Sequence, residues 1–253
     1  MDIYNLVFAF IAAIAAGFVN AIAGGGTLIS FPVLVAIGIP PVAANITNTI
    51  ALCPGYFGGV MAQRNDLLSQ KKRLWKILPV GIAGGIAGGL LLLNTSEDSF
   101  RILIPYLILL SAVLLAFQPF LKKMVEARLQ KSMHHNAKGV LVLFVIFLAA
   151  IYGGYFGAGL GVILLAVLGL LVDDSLIRLN ALKQAISLSV NVSAAIYFSF
   201  SDLVNWPVVA VMIFGSVLGG NIGGRTATFI RPEILRWAVV VIGFTVALFY
   251  FIK

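Results

Sequence analysis

Hydrophobic residues in this chain come in long runs, and polar residues are confined to the gaps between them. The runs fall at about 3–23, 27–38, 42–62, 74–93, 100–118, 138–157, 161–172, 179–200, 206–224 and 233–252. Eight of them approach the roughly 20 residues a helix needs to cross a bilayer core. Those at 27–38 and 161–172 are too short, and each follows a glycine break, the first at Gly24-Gly25-Gly26 and the second at Gly157, Gly159 and Gly161. Both read as half-helices or tilted short spans. The pattern alone leaves open whether a broken pair crosses the membrane or dips in and returns. Helix-start signals support the boundaries. Pro40-Pro41 precedes the third run, Ser96-Glu97-Asp98-Ser99 the fifth, Asp173-Asp174-Ser175 the eighth, and Arg231-Pro232-Glu233 the tenth.

The pattern also repeats. At an offset of 135, Gly24 and Gly26 meet Gly159 and Gly161, and Asn45 meets Asn180. At an offset of 134, Gly81, Gly85 and Gly89 meet Gly215, Gly219 and Gly223. The expected organisation is a first transmembrane repeat over 1–120, a basic cytoplasmic linker over 121–137 and a second transmembrane repeat over 138–253. Each repeat holds about five helical segments, with its short, broken helices at the membrane midplane.

Composition sets the solvent. Of 253 residues, 61% are hydrophobic and 10% charged, with a mean hydropathy of +1.07. Soluble domains carry about 25% charge, so this chain's solvent is lipid, and the predicted class is an all-α integral membrane protein. The net charge of +8 sits in clusters between apolar runs, which speaks for membrane orientation and against nucleic acid. With loops 63–76, 121–138, 173–178 and 225–231 in the cytoplasm and the flanking Lys183 and Arg236 going with them, 15 of the 17 Lys and Arg lie there, leaving Arg101 and Lys253 outside. Both termini come out external in a multi-pass cell-membrane protein. An odd number of crossings per repeat inverts the second copy, a recurring build of secondary transporters. A cleaved signal peptide over 1–23, ending at Ala21-Ile22-Ala23, is the weaker reading. Its start carries Asp2 and no Lys or Arg, and its apolar run is too long.

Several residues could carry chemistry. A helix restarting near Gly26 points unpaired N–H groups and a positive dipole end at the break, an anion site without a charged side chain. Gly24, Gly25, Gly26, Thr27, Gly159 and Gly161 are candidates on this ground. Asn20, one turn earlier, either orients a ligand oxygen or makes a helix–helix hydrogen bond. The glycines at four-residue spacing in the fourth and ninth runs read as close packing. Asn45, Asn48 and Thr49 lie on one face of the third run. Lys183, Ser187 and Asn191 line one face of the eighth, with Gln184 beside them. Polar groups in lipid face a partner or a cavity. Lys183 is the one cation well inside an apolar run, and it either holds a ligand or snorkels to the cytoplasmic face.

Other chemistries lack their residues. All nine acids sit at run edges or in loops, so no buried carboxylate relay is visible. There is no Walker loop and no nucleophile–base set, so no enzyme activity and no cofactor are expected. The lone cysteine, Cys53, excludes an intrachain disulfide and a thiol metal cage. His134-His135 sits in a basic linker with no other ligand nearby and reads as solvated loop. The linker's basicity suits anionic lipid heads.

At these residues the chain resembles the TauE/SafE family of sulfite and organosulfonate exporters. The resemblance rests on Gly24-Gly25-Gly26-Thr27-Leu28-Ile29-Ser30-Phe31-Pro32-Val33-Leu34, then Ala44-Asn45-Ile46-Thr47-Asn48-Thr49, and a second copy at Gly157-Ala158-Gly159-Leu160-Gly161. It covers essentially the whole chain. Leu160 replaces the middle glycine of the second triplet, and Val167 stands where the first copy has Pro32, so the two halves need not contribute equally. The resemblance implies a secondary transporter exporting small sulfur-containing anions such as sulfite or sulfonates. An ion-coupled importer of a related anion and a non-transporting membrane scaffold are the alternatives. The expected partners are the small anion and the bilayer, and a homodimer is left open.

Overall fold

A computed structural model describes residues 2–130, 139–226, 229 and 231–252. His134-His135 and the rest of the expected linker from residue 131 on lie outside them. The described residues hold helices and no strand: α1 (Ile3–Ile22), α2 (Thr27–Ala36), α3 (Pro41–Ala62), α4 (Arg64–Leu68), α5 (Lys71–Leu93), α6 (Glu97–Gln130), α7 (Gly139–Tyr155), α8 (Leu160–Leu171), α9 (Leu176–Phe198), α10 (Trp206–Thr226) and α11 (Pro232–Ile252). Five of them, α1, α5, α6, α10 and α11, are long and apolar enough to span a membrane unaided. The protein is an all-α, multi-pass membrane protein.

Each broken pair folds back on itself. Asn5, at the start of α1, donates to the carbonyl of Ile37 just past α2, at 3.5 Å. Nearer the tip, Gly26 packs on Ala16. So α1 and α2 are the two arms of a hairpin. α7 and α8 form another: Gly153 meets Leu160 near the tip, while Val142 and Ile146 share a core with Leu164 and Leu168 lower down. At each tip, glycines supply the left-handed backbone that L side chains avoid. These are Gly24 (φ 80) and Gly25 (φ 89) in the first, Gly157 (φ 78) and Gly159 (φ 79) in the second.

Packing joins each half of the chain to the other. α1 lies parallel to α10, with Phe10, Ile14 and Phe18 against Gly215, Gly219 and Gly223. α5 lies parallel to α7, with Gly84 against Phe147 and Gly88 against Ile151. Gly81 and Gly85 of α5 also meet Ser189 and Ser193 of α9. The glycine stripes are thus packing surfaces, as their spacing predicted. α3 and α9 run antiparallel at the centre, Gly59 beside Gln184 and Gln63 bonded to Asn180 at 3.0 Å. α6 and α11 are antiparallel too, Ala112 meeting Gly243 and Tyr106 meeting Phe251. One core draws mainly on α1–α3, α6, α10 and α11 with the end of α9, the other mainly on α5 and α7–α9. Neither sequence half packs as a separate unit.

Two features depart from the sequence expectation. α6 is 34 residues long, about 51 Å at 1.5 Å per residue. It continues ten residues into the stretch expected as linker. No Gly or Pro follows Pro119 to stop it, and a Lys122–Glu126 pair at i, i+4 supports the extension. The offset between the two tips is also 133, not 135. Gly24 N–H bonds the Val19 carbonyl as Gly157 N–H bonds that of Tyr152. α8 has 12 residues against 10 in α2, and the two extra restore the 135 offset by the starts of α3 and α9.

Candidate functional site

The two hairpin tips converge on one turn of α6. Gly25 packs on Leu115, and Gly159 packs on Ser111 and Leu114. α3 and α9, which carry most of the polar side chains, close the site from the other side.

At the first tip the donors are largely used. Asn20 Oδ1 accepts the Gly26 N–H at 2.7 Å, so Asn20 caps α2 from α1. A Cβ on Gly26 would overlap the Ala16 carbonyl, so this glycine is required by close packing. Ser30 Oγ, fully buried, lies 2.5 Å from Asn48 Oδ1 and 3.2 Å from the Gly26 carbonyl. The Asn48 side chain is thereby tied to the tip. The N–H groups of Gly25 and Thr27 make no hydrogen bond among the described residues. Thr49 bonds its hydroxyl back to the Asn45 carbonyl at 2.9 Å and stays on its own helix.

The second tip is strapped on one side and open on the other. The Ala158 carbonyl accepts from Tyr152 at 2.6 Å and from Ser111 at 3.0 Å, Ser111 being fully buried. The N–H groups of Ala158, Gly159 and Gly161 make no hydrogen bond among the described residues. Here the Lys183 side chain arrives: a Cβ on Gly161 would sit 3.7 Å from Lys183 Cδ and 3.9 Å from its Cε. No ion pair or hydrogen bond among the described residues engages its ammonium. Asn191 Oδ1 stands 4.0 Å from where a Cβ of Gly157 would be, and Nδ2 bonds the Ser187 carbonyl at 2.8 Å. Both Ser187 and Asn191 are buried.

The structure therefore gathers Asn20, Gly24, Gly25, Gly26, Thr27 and Asn48 at one tip, and Gly159, Gly161, Lys183 and Asn191 at the other. Gln184 lies apart, on the α3–α9 seam against Gly59. Sequence reasoning missed Ser30, Ser111 and Tyr152 as site-shaping groups. Ser111 and Tyr152 carried one faint signal, a polar atom within an apolar run. Asn45 joins α3 to α7 by donating to the Tyr155 carbonyl at 2.8 Å, and its Oδ1 is buried with no partner among the described residues. Beside it, Phe31, Phe100 and Phe156 stack edge to face or tilted and fill the space between α2, α6 and the second tip.

The site thus holds two hairpin tips with spare N–H groups and, beside the second, the Lys183 ammonium without a partner among the described residues. Residues 9–250 match the family described as "Sulfite exporter TauE/SafE". The chain belongs to the TauE/SafE family. This is a family of membrane transporters. A Sinorhizobium protein named "Probable membrane transporter protein ORF9" is 28% identical over 247 residues, covering 96% of this chain and 91% of that one. A Haemophilus influenzae "Probable membrane transporter protein" is 28% identical over 240 residues, 94% and 91% of the two chains. Escherichia coli K12 YfcA, also named a probable membrane transporter protein, is 25% identical over 234 residues, 92% and 84% of the two. No solved structure matches the chain.

Proposed function

We propose that this TauE/SafE member is a secondary transporter that exports small sulfur-containing anions, sulfite or organosulfonates, by alternating access. The observation that carries the reading is the placement of Lys183 beside Gly161 at the second tip, where N–H groups are spare and no carboxylate competes. An anion there meets a cation and helix N-terminal donors together. Asn191 and Asn48 reach the site from α9 and α3 and would orient its oxygens, with Ser187 behind Asn191. Gln184 lines the seam across which the halves move. Sulfur as the anion's centre comes from the family description; the geometry supports a compact oxyanion.

Alternating access rests on the packing. Two of the proposed pairs of equivalents, α3 with α9 and α6 with α11, run antiparallel, which supports two repeats of inverted topology. The two ends of the molecule also differ. On the α3 N-terminal side, a cavity of about 570 Å³ opens between the 37–40 and 202–207 stretches. At the equivalent place on the other side, Arg73 pairs with Asp174 at 2.6 Å, and Gln70 donates to the Arg178 carbonyl at 3.1 Å. The reading is an end tied shut toward the cytoplasm and, on the outer side, a recess whose lining includes no residue of either tip. An inside-negative potential drives a monovalent anion outward, worth roughly 2.3 kcal/mol per 100 mV, so export needs no coupling ion.

The test is thermal stabilisation of the purified protein by sulfite, sulfate, sulfoacetate, taurine and acetate. A ligand of the folded state raises stability by mass action. Stabilisation by sulfite or sulfoacetate that disappears in Lys183→Met supports the proposal. Stabilisation by acetate alone, or a sulfonate effect indifferent to Lys183, refutes it.

A further inference from the structure

A groove of about 430 Å³ runs between α5 and α7 on the outer surface, lined by Pro79, Val80 and Ala83 on one helix and Val140, Leu143 and Phe144 on the other. Its lining is apolar, as a wall facing lipid tails should be. What lies at its mouth is different. On α5, Lys72 and Lys76 continue the line of Pro79, Val80 and Ala83, at the helical spacing that puts residues on one face. Both lysines are exposed, and no ion pair among the described residues engages either one. Arg73, between them in sequence, faces the other way and is occupied by Asp174. Trp75, 78% exposed, stands at the same level, where amphipathic rings settle at headgroup depth. The parallel register of the two helices, Gly84 with Phe147 and Gly88 with Ile151, sets Lys76 level with Gly139. The positive end of the α7 dipole therefore faces the same mouth.

We propose that this groove binds an anionic phospholipid, with an acyl chain between α5 and α7 and the headgroup phosphate on Lys72 and Lys76. The charge at the mouth selects the headgroup, and the apolar wall selects a lipid over a free anion. Each lysine near a membrane surface contributes about fivefold in affinity for anionic lipid. The site is separate from the transport site and does not depend on the transport reading.

The test uses the full-length protein in bilayers with Trp75 as its one tryptophan (Trp206→Phe, Trp237→Phe). Quenching by brominated phosphatidylglycerol is compared with quenching by brominated phosphatidylcholine at equal mole fraction. The expected result is a preference for phosphatidylglycerol of at least about fivefold. It should fall to near one in Lys72→Gln/Lys76→Gln, and fall also in Ala83→Phe, which fills the groove and leaves the lysines. Millimolar inorganic phosphate should not compete. Equal quenching by the two lipids in the parent would overturn the proposal. So would a preference that survives loss of both lysines, ignores Ala83→Phe, or is abolished by free phosphate.

Discussion

At the residue scale the account turns on what each glycine and polar group touches. Gly26 and Gly24 sit two positions apart and do different jobs. A side chain at Gly26 would run into the Ala16 carbonyl, whereas at Gly24 nothing lies within 4 Å and only the positive φ objects. Gly26→Ala should therefore destabilise by roughly 1–3 kcal/mol through overpacking, and Gly24→Ala by about 1 kcal/mol through backbone strain. Urea-induced unfolding of the purified protein, with both variants at one detergent concentration, would read the order. Asn20 is legible in the sequence as a polar residue before a break, but its choice of Gly26 N–H over a ligand is not, because five intervening residues had to fold back first. Asn48 was likewise visible as a candidate, while its partner Ser30 was not: a serine in an apolar helix gives no sign of which neighbour it bonds.

At the element scale, the second hairpin depends on a shared acceptor. The Ala158 carbonyl takes a hydrogen bond from Tyr152 at 2.6 Å and has Ser111 in reach at 3.0 Å, whose one proton is shared with the Leu107 carbonyl at 2.7 Å. Losing either donor leaves it satisfied, so Tyr152→Phe or Ser111→Ala alone should cost about 1 kcal/mol. Losing both orphans a buried carbonyl, which costs about 1–3 kcal/mol more. A double-mutant cycle on thermal stability should show this non-additivity, and simple additivity would mean that water replaces the lost donor. The sequence pattern located ten of the eleven helices. It missed α4, whose five residues leave no periodic signature, and ended α6 early because charge was taken as loop. Those charges lie on a helix that outruns the bilayer. The tip register slipped by two because repeated glycines align at either offset, and only the backbone hydrogen bonds distinguish them.

At the scale of the whole molecule, the two ends should exchange states. The Arg73–Asp174 pair and the Gln70 contact hold α5 to the α8–α9 connection. If this tie keeps its end of the molecule shut, Asp174→Asn should expose it. The measurement is maleimide labelling in a Cys53→Ala background. Ala43→Cys, at the wall of the open cavity, should label several-fold more slowly once Asp174 is replaced. Unchanged labelling would make the ion pair a surface ornament, as exposed pairs often are. The spanning class and the antiparallel polar centre were legible from hydropathy and parity alone. The interleaving of the halves was not, because close packing between distant glycine stripes leaves no mark on which stripe pairs with which.

Flux through reconstituted vesicles tests the central claim most directly. Proteoliposomes loaded with sulfite or sulfoacetate and given an inside-negative potential should release the anion faster than protein-free vesicles. Lys183→Met should slow that release by about tenfold or more, the loss expected for a charge-assisted hydrogen bond. Release no faster than from empty vesicles for every sulfur anion, or full-rate release by the Lys183 variant, would contradict a sulfur-anion carrier built around the two tips.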